Sequence, residues 1–245
     1  MRLERSLAGS WRFQLDPEGL ISIDNLAPDR DMPVPLPWQA ASRELERYSG
    51  YAWYSTQVSL DEDWLNGELL LAFGAVDYWC QVFVNGQFVG EHEGGYTPFR
   101  FPIRRFVHAG QNDIAVRVYD AVQTGITVSR WPHETPASTD PFPAADIPHG
   151  KQDWYINVGG IWQAVSLIAV PSVYIESARL TPDIHSGRVH AALEFAGASG
   201  SLQGAALSVT IGAVSASVSL AQGQASCELD LIVPEQRAMV REQMQ

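Results

Sequence analysis

Residues 78–90 read YWCQVFVNGQFVG, and this stretch carries a strong local signal for a β-hairpin. Aromatic and other apolar residues dominate 78–84, and a second such run follows over 87–90. Asn85-Gly86 between the two runs is the dipeptide of a type I′ turn, because both residues tolerate the positive φ angles that this turn requires. The stretch therefore predicts a β-hairpin of two antiparallel strands.

Further strands are predicted on both sides of this hairpin. Apolar side chains alternate with polar ones in four segments, at 11–15, 51–60, 99–101 and 114–119. A period of two residues is typical of a strand with one buried face. Residues 7–119 thus hold six or seven short strands separated by turns, with no pattern of a crossover helix between them. We expect an antiparallel β-sandwich.

Prolines interrupt this pattern in two places. The segment 32–38, MPVPLPW, cannot form a helix or a central strand, and we interpret it as an extended crossing of the surface. Residues 120–150 hold five prolines and show little periodicity. A segment of this length is usually functional or disordered, and the aromatic residues Trp131, Phe142 and Trp154 argue against disorder. We predict a long ordered loop on the surface of the sandwich.

A polar and aromatic cluster follows this loop. Residues 147–162 read IPHGKQDWYINVGGIW, and the apolar run at 164–170 behind them predicts a strand. Binding residues commonly lie on a loop beside such a rigid strand. Sugars need flat rings against their C–H faces and carboxylates or amides on their hydroxyl groups, and this cluster supplies both. The candidate sugar-binding residues are Asp153, Trp154, Tyr155 and Asn157.

A structural role is the alternative interpretation of the same cluster. Aromatic residues are mostly buried for packing, so Trp154, Tyr155 and Trp162 would then belong to the core. In that case Asp153 would hydrogen-bond the backbone of its own loop. Composition and spacing alone leave both interpretations open, and they favour the structural one.

Composition and charge exclude several classes of function. The 245 residues suffice for one large or two ordinary domains. The formal net charge is −12 and the basic residues form no cluster, which argues against nucleic acid and anionic membranes as partners. No apolar run reaches the 18 residues that a membrane-spanning helix needs. The start of the chain lacks the apolar core of a signal peptide, so we expect a cytoplasmic location.

Metals and cofactors are not indicated by the sequence. Cys80 and Cys227 are far apart and form no CxxC pair, so the sequence predicts neither a zinc site nor a disulfide framework. We expect no metal site and no cofactor.

The composition changes after Pro171. Tryptophan is frequent before this residue and absent after it, and Ala, Ser, Val and Leu dominate 172–233. Alternating segments there predict four or five strands of a second, smaller sandwich. We therefore divide the chain into domains at 1–171 and 172–245. An immunoglobulin-like sandwich needs roughly 100 residues for seven strands, so we expect the second domain to be incomplete.

Seven short segments in a fixed order resemble one protein family. They are 7–13 (LAGSWRF), 51–54 (YAWY), 73–78 (FGAVDY), 84–86 (VNG), 89–92 (VGEH), 94–99 (GGYTPF) and 159–162 (GGIW). Together they resemble the N-terminal sugar-binding domain of family 2 glycoside hydrolases, which are β-galactosidases, β-glucuronidases and β-mannosidases. The resemblance implies a jelly-roll β-sandwich for the first domain and an immunoglobulin-like sandwich for the second.

The resemblance also has implications for chemistry. The family's retaining mechanism uses two glutamates of a separate (β/α)₈ barrel domain, so we assign no catalytic residue in this chain. Glu91 and Glu93 flank His92 beside a glycine turn, and we interpret them as solvated. In the family, an aspartate on the loop before the Gly-Ile turn binds the hydroxyl groups of the terminal sugar. Asp153 occupies that place, which favours a sugar contact there over the structural role.

The neighbours of Asp153 are weaker candidates. Trp154, Tyr155 and Asn157 are as well explained by packing, and His149 and Lys151 are weaker still. The expected partners are a carbohydrate with a terminal β-linked sugar and the (β/α)₈ catalytic domain of a parent enzyme, and the oligomeric state stays open.

Three functions remain at this point. The first is the non-catalytic, sugar-binding portion of a family 2 β-glycosidase, inactive alone. The second is a stand-alone carbohydrate-binding module, and the third is an interaction module that docks on a partner domain.

Overall fold

The structure of the chain, a computed structural model, describes residues 2–120, 158–197, 202 and 204–233. These residues belong to two compact units, one ending at Ala169 and the other beginning at Val170. Both units consist of antiparallel β-sheets, which confirms the predicted all-β class.

The first unit is a jelly-roll β-sandwich of ten strands. They are β1 (Leu3–Ser6), β2 (Gly9–Asp16), β3 (Arg30–Val34), β4 (Gly50–Leu60), β5 (Glu68–Phe73), β6 (Trp79–Val84), β7 (Gln87–Glu93), β8 (Phe99–Pro102), β9 (Gly110–Asp120) and β10 (Val165–Val170). Short 3₁₀ helices lie at Ile23–Asn25, Trp38–Ala40, Glu62–Leu65 and Arg104–Phe106. One sheet has the strand order β3-β2-β4-β9-β6-β7, and the other has the order β1-β10-β5-β8.

A large aromatic core fills the space between these sheets. Its fully buried members include Trp11, Phe13, Trp38 and Tyr54, and Phe13 meets the Tyr54 ring edge-on at 4.9 Å between ring centroids. Alternation along β2 and β4 directs these side chains inward, as the period-two pattern predicts. Trp38 is not on a strand: it begins a 3₁₀ helix after the proline-rich segment, and its indole Nε1 donates to the Tyr48 carbonyl at 3.0 Å.

The predicted hairpin is present as β6 and β7. Asn85 and Gly86 have φ angles of 50° and 75°, as a type I′ turn requires. Val84 and Gln87 are paired across the turn. The side chain of Asn85 ties the hairpin to the rest of the sheet, because its Nδ2 donates to the Asn112 Oδ1 at 2.9 Å and its Oδ1 accepts from the Asp113 N–H at 2.8 Å.

The second unit contains five strands in its described residues. They are β11 (Val173–Asp183), β12 (Arg188–Gly197), β13 (Ala206–Ile211), β14 (Val214–Ser219) and β15 (Ser226–Ile232). One sheet has the order β11-β12-β15, and β13 and β14 pair as a hairpin. A constant-type immunoglobulin sandwich has seven strands, so the described part of this unit is two strands smaller.

Apolar residues of β11 remain exposed. Ile175 is 49% exposed and Leu180 is 52% exposed, although Leu180 lies opposite the fully buried Ala191 of β12. Partners in antiparallel register point to the same face of a sheet. Among the described residues, the β13-β14 hairpin therefore covers the inner face of the three-stranded sheet at β12 and leaves that face open at β11.

Candidate functional site

The predicted sugar-binding residues Asp153, Trp154, Tyr155 and Asn157 lie outside the described residues, as do His149 and Lys151. The two attachment points of their segment are described. β9 ends at Asp120 directly before it, and the Gly159-Gly160 turn follows it. These attachment points and the residues around them form the candidate site, which we call the loop base.

Three segments of chain meet at the loop base. The Asp77 N–H donates to the Gly160 carbonyl at 3.0 Å, and the Gly160 N–H donates to the Asp77 carbonyl at 2.9 Å. The Gly94 N–H donates to the Tyr78 carbonyl at 2.9 Å, and the indole Nε1 of Trp162 donates to the Gly95 carbonyl at 2.8 Å. The glycine turn at 94–96 and the Gly159-Gly160 turn are thus held on either side of Asp77.

Only glycine fits at Gly159 and Gly160. Gly160 has a φ of +95°, and a Cβ there would overlap the hydroxyl of Tyr54. A Cβ on Gly159 would overlap the carboxylate of Asp120 and the ring of Trp38. The backbone approaches these buried side chains so closely that any larger residue would push the turn away.

Asp120 is buried and paired with an amide. The Gln39 Nε2 donates to the Asp120 Oδ2 at 2.9 Å, while the Oε1 of the same amide accepts from the Gly159 N–H at 2.8 Å. The Trp38 N–H also donates to the Gly159 carbonyl, at 3.1 Å. Gln39 therefore bridges the residue before the undescribed segment and a residue just after it.

Asp77 is buried without such a partner. Its side chain is 3% exposed, and no described residue donates a hydrogen bond to its carboxyl group. The carboxyl lies directly against Gly95, where a Cβ would overlap it. Burial raises the pKa of Asp77 to about 7, because the charged form loses its hydration.

Tyr96 is the exposed aromatic residue at the loop base. It is 55% exposed, and its ring meets that of Trp162 edge-on at 5.5 Å between centroids. Partial burial raises the pKa of Tyr96, and the nearby carboxylates of Asp77 and Asp120 raise it further. The loop base thus combines two buried carboxyl groups with one accessible aromatic ring.

Glu91 and Glu93 are exposed, but they lie on β7 rather than in the glycine turn. The Tyr78 hydroxyl donates to the Glu93 Oε1 at 2.7 Å, and the Gln81 Nε2 lies 3.4 Å from the Glu91 Oε2. The partner of Glu91 lies on the neighbouring strand β6, and the partner of Glu93 directly precedes that strand.

Sequence reasoning missed Asp77, Asp120, Gln39 and Tyr96. The one available signal was a carboxylate at the end of an apolar segment, since Asp77 follows Ala75-Val76 and Asp120 ends an alternating strand. Within the described ranges, no group of three His, Cys, Asp or Glu residues could hold a metal ion. No helix in that same part of the chain is long and apolar enough to cross a membrane.

The fold and the loop base define a jelly-roll β-sandwich with a candidate site at the two attachment points of residues 121–157. The family model described as "Glycosyl hydrolases family 2, sugar binding domain" matches residues 30–171, which is more than half of the chain. The chain belongs to this family, as its motifs predicted.

Several β-glucuronidases are similar to this chain in sequence or in fold. The β-glucuronidases of Homo sapiens and Rattus norvegicus are 29% and 30% identical over 165 residues, covering 64% of this chain and 25% of each relative. The structure of the Faecalibacterium prausnitzii β-glucuronidase has a TM-score of 0.69 at 24% identity, covering 96% of this chain and 41% of that one. The β-glucuronidase from Ruminococcus gnavus in complex with D-glucuronic acid has a TM-score of 0.59 at 23% identity, covering 80% and 34%.

The chain spans about a quarter to a third of the length of the curated relatives it matches. The similarity to the two solved structures shows the shared fold.

Proposed function

We propose that this chain is the non-catalytic, sugar-binding part of a retaining β-glycosidase that acts on β-D-glucuronides. The family match over 30–171 supports the sugar-binding role, and the relatives named β-glucuronidase support the substrate class. The structural observation that carries the proposal is the loop base, which fixes both attachment points of the segment that contains Asp153.

Fixed attachment points matter for the affinity of a binding loop. Gln39 links Asp120 to Gly159, and Asp77 pairs with Gly160 through two backbone hydrogen bonds. A loop held at both ends loses less conformational entropy when it binds a ligand. Asp153 lies six residues before Gly159 in the sequence, so we expect this anchoring to restrict its position.

The proposed chemistry assigns one role to each candidate. The Asp153 carboxylate accepts hydrogen bonds from sugar hydroxyl groups, and such charge-assisted bonds contribute about 1.5–3 kcal/mol each. Trp154 and Tyr155 cover C–H faces of the sugar, and the Asn157 amide binds a further hydroxyl. Bond cleavage belongs to a separate (β/α)₈ domain with two carboxylates about 5 Å apart. No residue of this chain takes part in it.

The test is a comparison of aryl β-D-glucuronide, β-D-galactoside and β-D-mannoside as substrates. We expect no turnover by the chain alone, and for the complete enzyme we expect a preference for the glucuronide of roughly 100-fold or more in kcat/KM. A galactoside or mannoside preference would overturn the substrate class. Turnover by the chain alone that disappears when one of its residues is mutated would overturn the non-catalytic role.

A further inference from the structure

Asp77 is the one buried charged residue among the described residues that lacks a hydrogen-bonding partner for its side chain. Asp16 accepts from the Leu20 N–H at 2.8 Å, and Asp120 accepts from Gln39 at 2.9 Å. Buried polar groups are almost always paired, so an unpaired carboxyl group requires a reason.

The location of Asp77 suggests that reason. Its backbone exchanges two hydrogen bonds with Gly160, and its carboxyl group lies against Gly95. Trp162 holds Gly95 through the Gly95 carbonyl. We propose that Asp77 is a positioning residue that holds the turn at 94–96 against the Gly159-Gly160 turn, and that it holds them more tightly when its carboxyl group is protonated.

The surroundings favour the neutral form. Among the described residues, the titratable side chains on the elements around Asp77 include Tyr78 next to it in the chain, Tyr96 on the glycine turn, Tyr119 and Asp120 at the end of β9, and His92 and Glu93 at the end of β7. None of these supplies a positive charge near neutral pH, since burial lowers the pKa of His92. An ionised Asp77 would therefore be poorly hydrated and would have no compensating cation among the described residues, and opening of the contact would return it to water.

The sign of the pH effect follows from the two states. The Asp77 carboxyl has a pKa of about 7 in the closed contact, against 3.8 when it is solvated. Between these values the closed state keeps a proton that the open state releases. Raising the pH therefore favours opening, by up to about tenfold for each pH unit in this window.

This contact lies where the chain returns from the segment that carries Asp153. An effect of Asp77 on sugar binding would rest on the proposed function, whereas the contact itself does not. A measurement on the contact can therefore fail while the sugar-binding proposal stands, and the reverse also holds.

The experiment is amide hydrogen exchange by NMR on the whole chain, from about pH 5 to about pH 8. The reporter is the Gly160 amide, referred to amides of the central strand β9. We expect its relative protection to fall by about tenfold or more with rising pH in the unmodified chain. We expect constant protection in Asp77→Asn, and the unmodified profile in the exposed control Asp63→Asn. The same profile with Asp77 and with Asn would overturn the proposal.

A second measurement needs no variant and covers the case in which Asp77→Asn fails to fold. A carbon-13 titration of the Asp77 carboxyl in the unmodified chain reports its protonation directly. A midpoint at or above about pH 6 supports the proposal, and a lower midpoint overturns it.

Discussion

Two buried carboxylates at the loop base are stabilised in different ways. Asp120 shares the Gln39 amide with Gly159, so its charge is compensated by a hydrogen bond. Asp77 has no such donor among the described residues, and its pKa is raised to about 7 by burial. The hydrogen bonds of Asp120 hold the two attachment points in place. The unpaired carboxyl group of Asp77 makes the stability of the same region depend on pH.

The pH dependence gives the first prediction. Because the folded pKa of Asp77 lies above its unfolded value of 3.8, its destabilising effect is absent below about pH 4 and grows as the pH rises towards 7. The full effect is on the order of a few kcal/mol. Thermal unfolding of Asp77→Asn should therefore show a Tm that rises relative to the unmodified chain between pH 4 and pH 8. A Tm difference that is independent of pH would contradict this account.

Gly160 gives the second prediction and has a matched control. Gly160 and Gly110 have φ angles of +95° and +94°, but only a Cβ on Gly160 would overlap another residue, the hydroxyl of Tyr54. Replacement by alanine strains both positions similarly. We expect Gly160→Ala to lower the free energy of unfolding by roughly 1–3 kcal/mol more than Gly110→Ala, as measured in urea. Equal losses would show that the turn does not depend on this close approach.

The sequence predicts a site residue, Asp153, that lies outside the described residues, and it gives no local signal for Asp77. Asp153 is recognisable because it precedes the motif at 159–162, which lies nearby in the chain. Asp77 and Gly160 are 83 positions apart, and burial of a carboxyl group by such distant segments leaves no local pattern. Only the folded sheets bring them together.

At the scale of elements, the hairpin was predictable because its signal is local. Two residues with positive φ determine the turn, and two apolar runs determine the strands. The proline-rich segment at 32–38 was only partly predictable. It contributes Met32, Pro33 and Val34 to β3, an edge strand of the six-stranded sheet, where a missing N–H is tolerated.

Asn85 provides a test of the hairpin. Its side chain donates to Phe106 and Asn112 and accepts from Asp113, and its φ is positive. We expect Asn85→Ala to cost roughly 2–4 kcal/mol, because it loses these bonds and strains the turn. Asn85→Gly loses the same bonds but keeps the favourable φ, so it should cost about 1 kcal/mol less. If both variants unfold at the same urea concentration, the positive φ is not what selects this residue.

The uncovered face of β11 gives a prediction for the second unit. Ile175 and Leu180 are about half exposed on the face that β12 buries, so the described residues cover this part of the sheet only in part. We expect concentration-dependent self-association in sedimentation experiments, and a weaker association for Leu180→Lys. The matched control is Ile184→Lys, which changes an exposed residue beyond the end of β11. A monodisperse monomer at all concentrations would show that the open face of β11 does not mediate self-association.

At the scale of the whole chain, the two units differ in the size of their cores. The core of the first contains many large aromatic residues, whereas that of the second consists of Ala191, Leu193, Leu202, Leu220 and Cys227 with partly buried neighbours. Stability grows with buried apolar area, so the second unit should exchange its amides faster than β4 and β9 do. Uniform protection across both units would contradict this expectation.

The fold class followed from alternation and turn chemistry, whereas family membership came from an ordered set of motifs. The cytoplasmic location stays a prediction. Net charge could only narrow the choice of partners, because the charge of −12 argues against polyanions without selecting a sugar.

The most direct test of the central claim is the kinetics of Asp153→Asn in the complete enzyme, with Asp146→Asn as a control in the same segment. Asparagine keeps the shape of the side chain and removes the charge that accepts sugar hydroxyls. We predict a loss of roughly ten- to a hundredfold in kcat/KM for an aryl β-D-glucuronide, with an unchanged Tm and no loss in the control. Unchanged kinetics with a Tm lowered by several degrees would contradict the sugar contact and assign Asp153 to the structure of its loop.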